Sequence, residues 1–378
     1  MIKSEFHKKK KMIKVIDTPY SSFMLEKIFE RYDNFGEIIE IKKDLGETKL
    51  KANNILKISK KNFLQKKKFI ITNSTAFNWS NSIISNFYKF RQIQKNILKK
   101  ISFDKSSIYI GCKTSTIMNM LPKSNRILID HGFSDYYRRA FKLTVLESIL
   151  DIIKEKISYY IGYPYISFNE DLKNYTVCKI PNSKNNFIDL QNLPTNKIVN
   201  DTFIRIKKKY PRVNTIYLLT KNWEQNLYRG LSNNIDFDHI NFNLIKKYAK
   251  KGERFFIRYH GFTIQSNQNK SSFIKNLHKF GYYAVDVDNF FKTYYRGLIP
   301  AELFISNLKL KRVISKYSST LHNICHNQSL SCIMDINPEL ELINKTDSYF
   351  KQQLIKEYKL RKKFNKLTRG KVKIIKIN

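Results

Sequence analysis

Along the chain, short apolar runs alternate with longer stretches whose apolar residues recur at helical spacing. Met12-Ile13-Lys14-Val15-Ile16 predicts a strand, and Asp17-Thr18-Pro19 the turn that ends it. Phe23, Met24, Leu25, Ile28 and Phe29 then recur at helical spacing, so a β-α unit opens the protein. Lys68–Asn73, Ser107–Gly111 and Arg126–Asp130 predict further strands with helix-like segments between them.

The alternation breaks between residues 162 and 200, where Pro164, Pro181 and Pro194 stand among Asn, Ser and Lys. An interdomain connection is placed around 192–200, dividing the chain into domains 1–195 and 196–378. Beyond it Thr215–Thr220, Arg254–Arg258, Tyr283–Asp286 and Arg312–Ser315 predict strands again. Ala301–Leu308 and Leu321–Cys325 read as helices, and the tail after Tyr349 as a long helix followed by a short strand or free end. Strands alternating with helices imply parallel sheets joined by right-handed crossovers, that is, an α/β protein with two Rossmann-like domains. No repeat of fixed period is present.

Composition narrows this picture. At 378 residues, with 42% hydrophobic and 14% aromatic residues, the chain can fold and fill two cores. The formal charge of +39 is the most extreme number, but Lys, Ile and Asn are over-used from end to end, so part of the excess reads as compositional drift. The remainder implies affinity for polyanions such as nucleic acid, an anionic membrane face or an acidic glycan. Lys8–Lys11, Lys66–Lys68 and the tail Lys356–Lys376 are the densest runs, read as solvated faces. Cys112, Cys178, Cys325 and Cys332 form no CxxC and are read as reduced core thiols. No window approaches about 18 uncharged apolar residues and no signal peptide is evident, so a cytoplasmic protein, soluble or peripheral on the inner membrane, is expected.

Candidate chemistry sits in four patches: Ile129-Asp130-His131-Gly132, Arg258-Tyr259-His260-Gly261, Ile299-Pro300-Ala301-Glu302 and Tyr317-Ser318-Ser319-Thr320. Each follows or adjoins an apolar run, so each falls where an α/β sheet delivers side chains to a ligand crevice. Asp130 is a candidate general base; the alternative is a helix cap or an ion pair with Arg138 or Arg139. His260 is suited to stabilise or protonate a departing phosphate oxygen, the alternative being a structural histidine. Ser318, Ser319 and Thr320 stand before a helix, where hydroxyls and free N–H groups either hold a phosphate or simply cap the helix. Glu302 either binds ribose hydroxyls or a base amino group, or satisfies the dipole of its own helix.

In this order the patches resemble the bacterial sialyltransferases of the two-domain GT-B type. The likeness is greatest to the α-2,8-polysialyltransferase-like family and its lipooligosaccharide sialyltransferase relatives. Those enzymes share an acidic-acidic-glycine motif, a His-Pro motif and a Ser/Thr-rich motif. Asp17-Thr18-Pro19-Tyr20 and Ile299-Pro300-Ala301-Glu302-Leu303 add to the likeness, which touches the chain from about Ile13 to Ile324. Two positions depart from the pattern: His131 stands where a second acid is usual, and Gly261 where proline is usual.

The resemblance implies a GT-B-like fold with two parallel sheets facing each other across a cleft. It implies CMP-sialic acid as donor, inversion at the anomeric carbon and neither metal nor other cofactor. Asp130, in the acceptor-side N-terminal domain, would deprotonate the acceptor hydroxyl, and His260 would stabilise the departing CMP phosphate. Ser318, Ser319, Thr320 and Arg258 would contact the donor in the C-terminal domain, and Glu302 would position the cytidine. Asp286-Val287-Asp288 has the letters of a metal-binding DxD but is read as structural. The implied acceptor is an anionic surface glycan or glycolipid of capsule or lipooligosaccharide, with the charge excess serving contact with it and with the anionic inner membrane face.

Two other readings stand beside this one. A glycosyltransferase of the same fold could use another nucleotide sugar for surface polysaccharide. A nucleic-acid-binding protein, prompted by the charge, 23 tyrosines and 27 phenylalanines, would interleave basic and aromatic residues on one surface. Here the aromatics lie inside apolar runs such as Phe255-Phe256-Ile257, so no specific nucleic acid is expected.

Overall fold

The structure, a computed structural model, describes residues 11–16, 24–25, 28, 37–44, 67–73, 83–101, 107–112, 116–122, 125–129, 149–150, 153, 175–176, 186–193, 195–219, 236–259, 270–292, 295–297, 299–316, 318–327, 329–343, 348–367 and 369–377. The chain divides into two compact units, residues 1–177 with 182–188, and residues 178–181 with 189–378.

In the first unit the strands are β1 (Lys11–Ile16), β2 (Glu37–Asp44), β3 (Lys67–Asn73), β4 (Ile108–Cys112), β5 (Arg126–Ile129), β6 (Tyr175–Thr176) and β7 (Asn186–Phe187). They form one parallel sheet in the order β3-β2-β1-β4-β5-β6-β7. Ile13 lies opposite both Ile39 and Tyr109, so the central strands stack apolar side chains in register. Helix α1 (Ile83–Lys100) turns Gln94 and Ile97 inward one turn before buried Ile101, and these isoleucines meet Ile13, Val15, Ile39 and Tyr109. Helix α2 (Thr116–Met120) adds Ile117, Met118 and Met120 to the same core. It lies so close to β4 that a Cβ on Gly111 would stand 2.8 Å from Met118 and from Val15, which is why this position carries no side chain. Met24, Leu25 and Ile28 are helical and fully buried, as the 23–32 pattern predicts.

In the second unit the strands are β8 (Thr215–Leu219), β9 (Arg254–Tyr259), β10 (Tyr283–Asp286), β11 (Arg312–Ser315), β12 (Ser331–Met334) and β13 (Val372–Ile374). They too are all parallel, in the order β10-β9-β8-β11-β12-β13. β8 is buried at every position and β9 at all but its first, which is the mark of a sheet covered on both faces. Around them lie α3 (Lys197–Lys209), α4 (Phe237–Tyr248), α5 (Lys270–Lys279), α6 (Ala301–Asn307), α7 (Thr320–Ile324), α8 (Asn337–Ile343) and α9 (Ser348–Leu367). One core joins Tyr217, Leu219, Phe255, Ile257 and Ile314 to Leu244 and Ile245 of α4 and to Phe273 and Leu277 of α5. On α3, Val199, Phe203 and Ile206 point inward, and the Phe203 ring meets Phe291 and Phe304 edge-on at 5.2 Å each. Asn196 caps α3 by accepting from the Val199 N–H at 2.9 Å.

Counted along the chain, both sheets have the strand order 3-2-1-4-5-6 of doubly wound folds, the first with a seventh strand added at its edge, so the expectation of two Rossmann-like parallel α/β sheets is met. β2 and β12, together with the two-residue β6 and β7, are strands that the apolar pattern does not single out.

Candidate functional site

In a sheet of this order the strand sequence reverses between its first and fourth strands, and ligands of such folds bind outside the carboxyl ends at that reversal. In the second unit those strands are β8 and β11. Leu218 and Ser315 are partners across the pair, and Ser315 Oγ donates to the Leu218 carbonyl at 3.0 Å. The Ser-Ser-Thr patch therefore begins at the switch point itself.

From Ser315 the chain is held turn by turn. The Ser318 N–H donates to Ser315 Oγ at 3.2 Å, and Ser318 Oγ accepts from the Thr320 N–H at 3.3 Å. Ser319, the residue preceding α7, makes no capping bond with its side chain. Ser318 is thus the capping hydroxyl, Ser318 and Ser319 are half-buried, and Thr320 is buried. Helix α7 is only five residues long, so its macrodipole adds little to what the hydroxyls and N–H groups offer an anion.

Between Ser315 and this cap, Lys316 is turned into the protein. Its ammonium lies 3.3 Å from Glu339 Oε2 of α8, with the side chains 1% and 0% exposed, and 5.2 Å from the centre of the Phe237 ring. A basic residue beside the Ser-Ser-Thr patch invites a ligand-binding role, but these contacts make it an anchor for the loop. The neighbouring strand end is fixed in the same manner. Asp335, just after β12, donates its N–H to the Ser315 carbonyl at 3.1 Å. Its carboxylate accepts from Tyr248 Oη at 2.6 Å and pairs with Lys247 at 2.7 Å. Burial, and then the hydrogen bond to Asp335, hold the Tyr248 hydroxyl well above its ordinary pKa.

Glu302 occupies the first turn of α6 and is 3% exposed. Its Oε1 accepts from Asn323 Nδ2 of α7 at 2.7 Å, so this hydrogen bond ties the Glu302 patch to the helix that carries the Ser-Ser-Thr patch. Asn323 escapes sequence reasoning because a single asparagine inside a short apolar helix carries no spacing signal.

Arg258, expected among the donor contacts, spends its guanidinium inside the unit. Nε pairs with Asp288 Oδ2 at 3.2 Å, Nη2 donates to the Ile299 carbonyl, and the group lies 4.5 Å from the centre of the Phe304 ring. The Asp286 and Asp288 carboxylates are likewise occupied. Asp286 Oδ1 accepts from the Asp288 N–H at 3.0 Å, and Asp288 Oδ1 from the Gly297 N–H at 3.4 Å.

His322, two residues after Thr320, is buried edge-on against Phe364 of α9 at 5.3 Å. Burial, with the Arg361 charge as a lesser cause, holds its pKa well below the usual histidine value, so it stays neutral. The described cysteines Cys112, Cys325 and Cys332 are buried and in no disulfide. Burial pushes the Cys325 thiol up to about 11 and the Cys332 thiol up to about 12.

The structure thus ties Glu302 of α6 to α7, the helix that Ser318, Ser319 and Thr320 open, and sets Arg258 against Ile299 and Phe304 at the start of α6. Asp130 and His260, which follow the last residues of β5 and β9 in sequence, lie outside the described residues, as do His131 and Gly261. Among the described residues no group of three or more His, Cys, Asp or Glu side chains could hold a metal ion, and no helix is long and apolar enough to cross a membrane.

Fold and site together define a protein with two doubly wound α/β units and a polar cluster at the switch point of the second. No protein-family model matches the chain, and no curated protein does. Among solved structures, the chain is similar to a glycosyltransferase from Rickettsia africae ESF-5, at 13% identity over 96% of this chain and 95% of that one, with a TM-score of 0.40. It is also similar to LpCGTa in complex with UDP, at 8% identity over 95% and 94%, with a TM-score of 0.45. Both likenesses are distant.

Proposed function

We propose that the chain is an inverting glycosyltransferase that moves sialic acid from CMP-sialic acid to a hydroxyl of an anionic surface glycan, in capsule or lipooligosaccharide synthesis. The observation that carries this reading is the link between two of the four patches: Ser318–Thr320 opens at the β8–β11 switch point, and α7 holds Glu302 through Asn323. A nucleotide laid across the carboxyl ends of this sheet would meet hydroxyls for its phosphate and a carboxylate for its cytidine within one hydrogen-bonded cluster.

Residue roles follow from that placement and from the sequence resemblance. Ser318 and Ser319, both half-buried, hold the donor phosphate with Thr320 beside them. Glu302 positions the cytidine through the carboxylate that Asn323 orients. Asp130 takes the proton from the acceptor hydroxyl, whose oxygen bonds to the anomeric carbon as the bond to the phosphate oxygen breaks. His260 stabilises the CMP that departs with the electron pair of that bond. The transfer needs no metal in this reading. The acceptor is an anionic glycan or glycolipid, single or growing in α-2,8 linkage, met at the inner membrane face where the basic surface helps hold the protein.

Gly261 favours a second reading, because it removes the proline that stiffens the turn after the histidine in the sialyltransferase pattern. The same chemistry would then use another nucleotide sugar. A donor panel run in EDTA decides between them, with Asp130→Ala and His260→Ala alongside. CMP release from CMP-sialic acid that both substitutions abolish supports the first reading, whereas turnover of another nucleotide sugar alone supports the second. Turnover of none refutes both.

A further inference from the structure

Arg258 touches two other segments of the second unit, the turn at Asp288 and the stretch Ile299–Phe304. It belongs to β9 and stands two residues before His260 in sequence. From there its guanidinium pairs with Asp288 at 3.2 Å, donates to the carbonyl of Ile299, and lies 4.5 Å from the Phe304 ring centre. Ile299 immediately precedes Pro300, the N-cap of α6, and Phe304 lies on α6 two residues after Glu302. Asp288 is itself fixed, since its other oxygen accepts from the Gly297 N–H. Arginine and aspartate are 6% and 1% exposed.

A buried ion pair is a weak source of net stability, because losing water from both charges offsets their attraction. What it supplies is geometry. The planar fork of a guanidinium satisfies a carboxylate and a carbonyl together while stacking on a ring, which an ammonium cannot do. The contacts run from the strand that leads into His260 to the first turn of the helix that presents Glu302.

We propose that Arg258, held by Asp288, is a positioning residue that sets the carboxyl end of β9 against the Glu302 turn. It thereby fixes where the first turn of α6 carries the Glu302 carboxylate relative to the end of β9. This rests on the donor reading above. Arg258 acts through Glu302 and touches no substrate.

The test is steady-state release of nucleotide from the donor that the panel selects, using the full chain with Arg258→Lys, Arg258→Ala, Asp288→Asn, Glu302→Gln and the double variant Arg258→Lys with Glu302→Gln. Thermal melting is followed in parallel. Arg258→Lys keeps a charge for Asp288 but loses the fork, and is expected to melt cooperatively while its donor KM rises and its kcat falls about tenfold or more. Arg258→Ala does worse, and Lys partly rescues it. In the double variant KM is no higher than in Glu302→Gln alone, because one residue acts through the other. An unchanged KM in Arg258→Lys, with kcat falling only as folded protein is lost, overturns the proposal, as do effects on KM that multiply in the double variant. A wild type that turns over no donor refutes the donor reading and this role with it.

Discussion

Replacing Lys316 by methionine separates an anchor for the switch-point loop from a donor contact. The ammonium lies 3.3 Å from Glu339 Oε2, and neither side chain is more than 1% exposed. At an effective dielectric of about 20, two unit charges at that distance attract by about 5 kcal/mol. Desolvation of both ions consumes much of this, so the pair as a whole is close to neutral against apolar residues of similar size. Removing one partner is different. Lys316→Met takes the cation at 3.3 Å away from the buried Glu339 carboxylate and is expected to cost about 3–5 kcal/mol, whereas Lys316→Met with Glu339→Leu recovers most of the loss. Thermal melting reads this directly, since at about 2–4 °C per kcal/mol for a unit of this size the single variant drops by about 6–20 °C. Urea titration of the same proteins closes the double-mutant cycle. A Lys316→Met protein that melts like wild type but binds its donor poorly would refute the reasoning, because it would mean that the ammonium faces the ligand.

Three further outcomes follow from the same contacts. The unfolded chain takes up a proton at His322 near pH 6.5 that the folded chain refuses, so the stability conferred by neutral His322 is full above about pH 6.5 and drains as pH falls. The slope is at most about 1.4 kcal/mol per pH unit and is expected to vanish in His322→Leu, whereas parallel pH profiles would contradict it. Asn323→Asp sets a second carboxylate against Glu302 and should cost about 1.5–3 kcal/mol at pH 8. The loss shrinks as the pH is lowered and the two carboxylates share a proton, so a loss independent of pH would show that they are not in contact. Gly111→Ala drives a methyl into Met118 and Val15 at 2.8 Å and is expected to cost about 1–3 kcal/mol by urea unfolding, with a neutral result refuting the close approach of α2 to β4.

The fold was legible where apolar residues follow one another in a run bounded by polar residues. Tyr283–Asp286 and Arg312–Ser315 are strands at the predicted residues, and Arg254–Phe255–Phe256–Ile257 opens β9 as expected. β2 was not legible, because Glu37, Glu40 and three further charged residues break its isoleucines into no clear period. β12 offers only Cys332, Ile333 and Met334 after a serine, too short to tell from a helical turn. At the site, the hydroxyls and the glutamate were visible as residue types at strand and helix ends. The partners of Glu302, Arg258 and Lys316 were not. Asn323, Asp288 and Glu339 reach the site from 21 to 30 positions away in the chain, and such separations leave no local spacing to read. Lys316 shows the limit from the other side: one more lysine in a chain with 70 Lys and Arg, it is distinguished only by where it points.

The most direct test of the central claim is calorimetric titration of CMP, with UDP as comparison, into wild type and into the Ser318→Ala, Ser319→Ala double variant. Loss of the hydroxyl contacts to a charged phosphate is expected to weaken binding by about 10- to 150-fold, corresponding to about 1.5–3 kcal/mol. Tight CMP binding by wild type and its loss in the variant are the predicted results. Binding of neither nucleotide, or equal affinity in the two proteins, would contradict a donor site at the β8–β11 switch point.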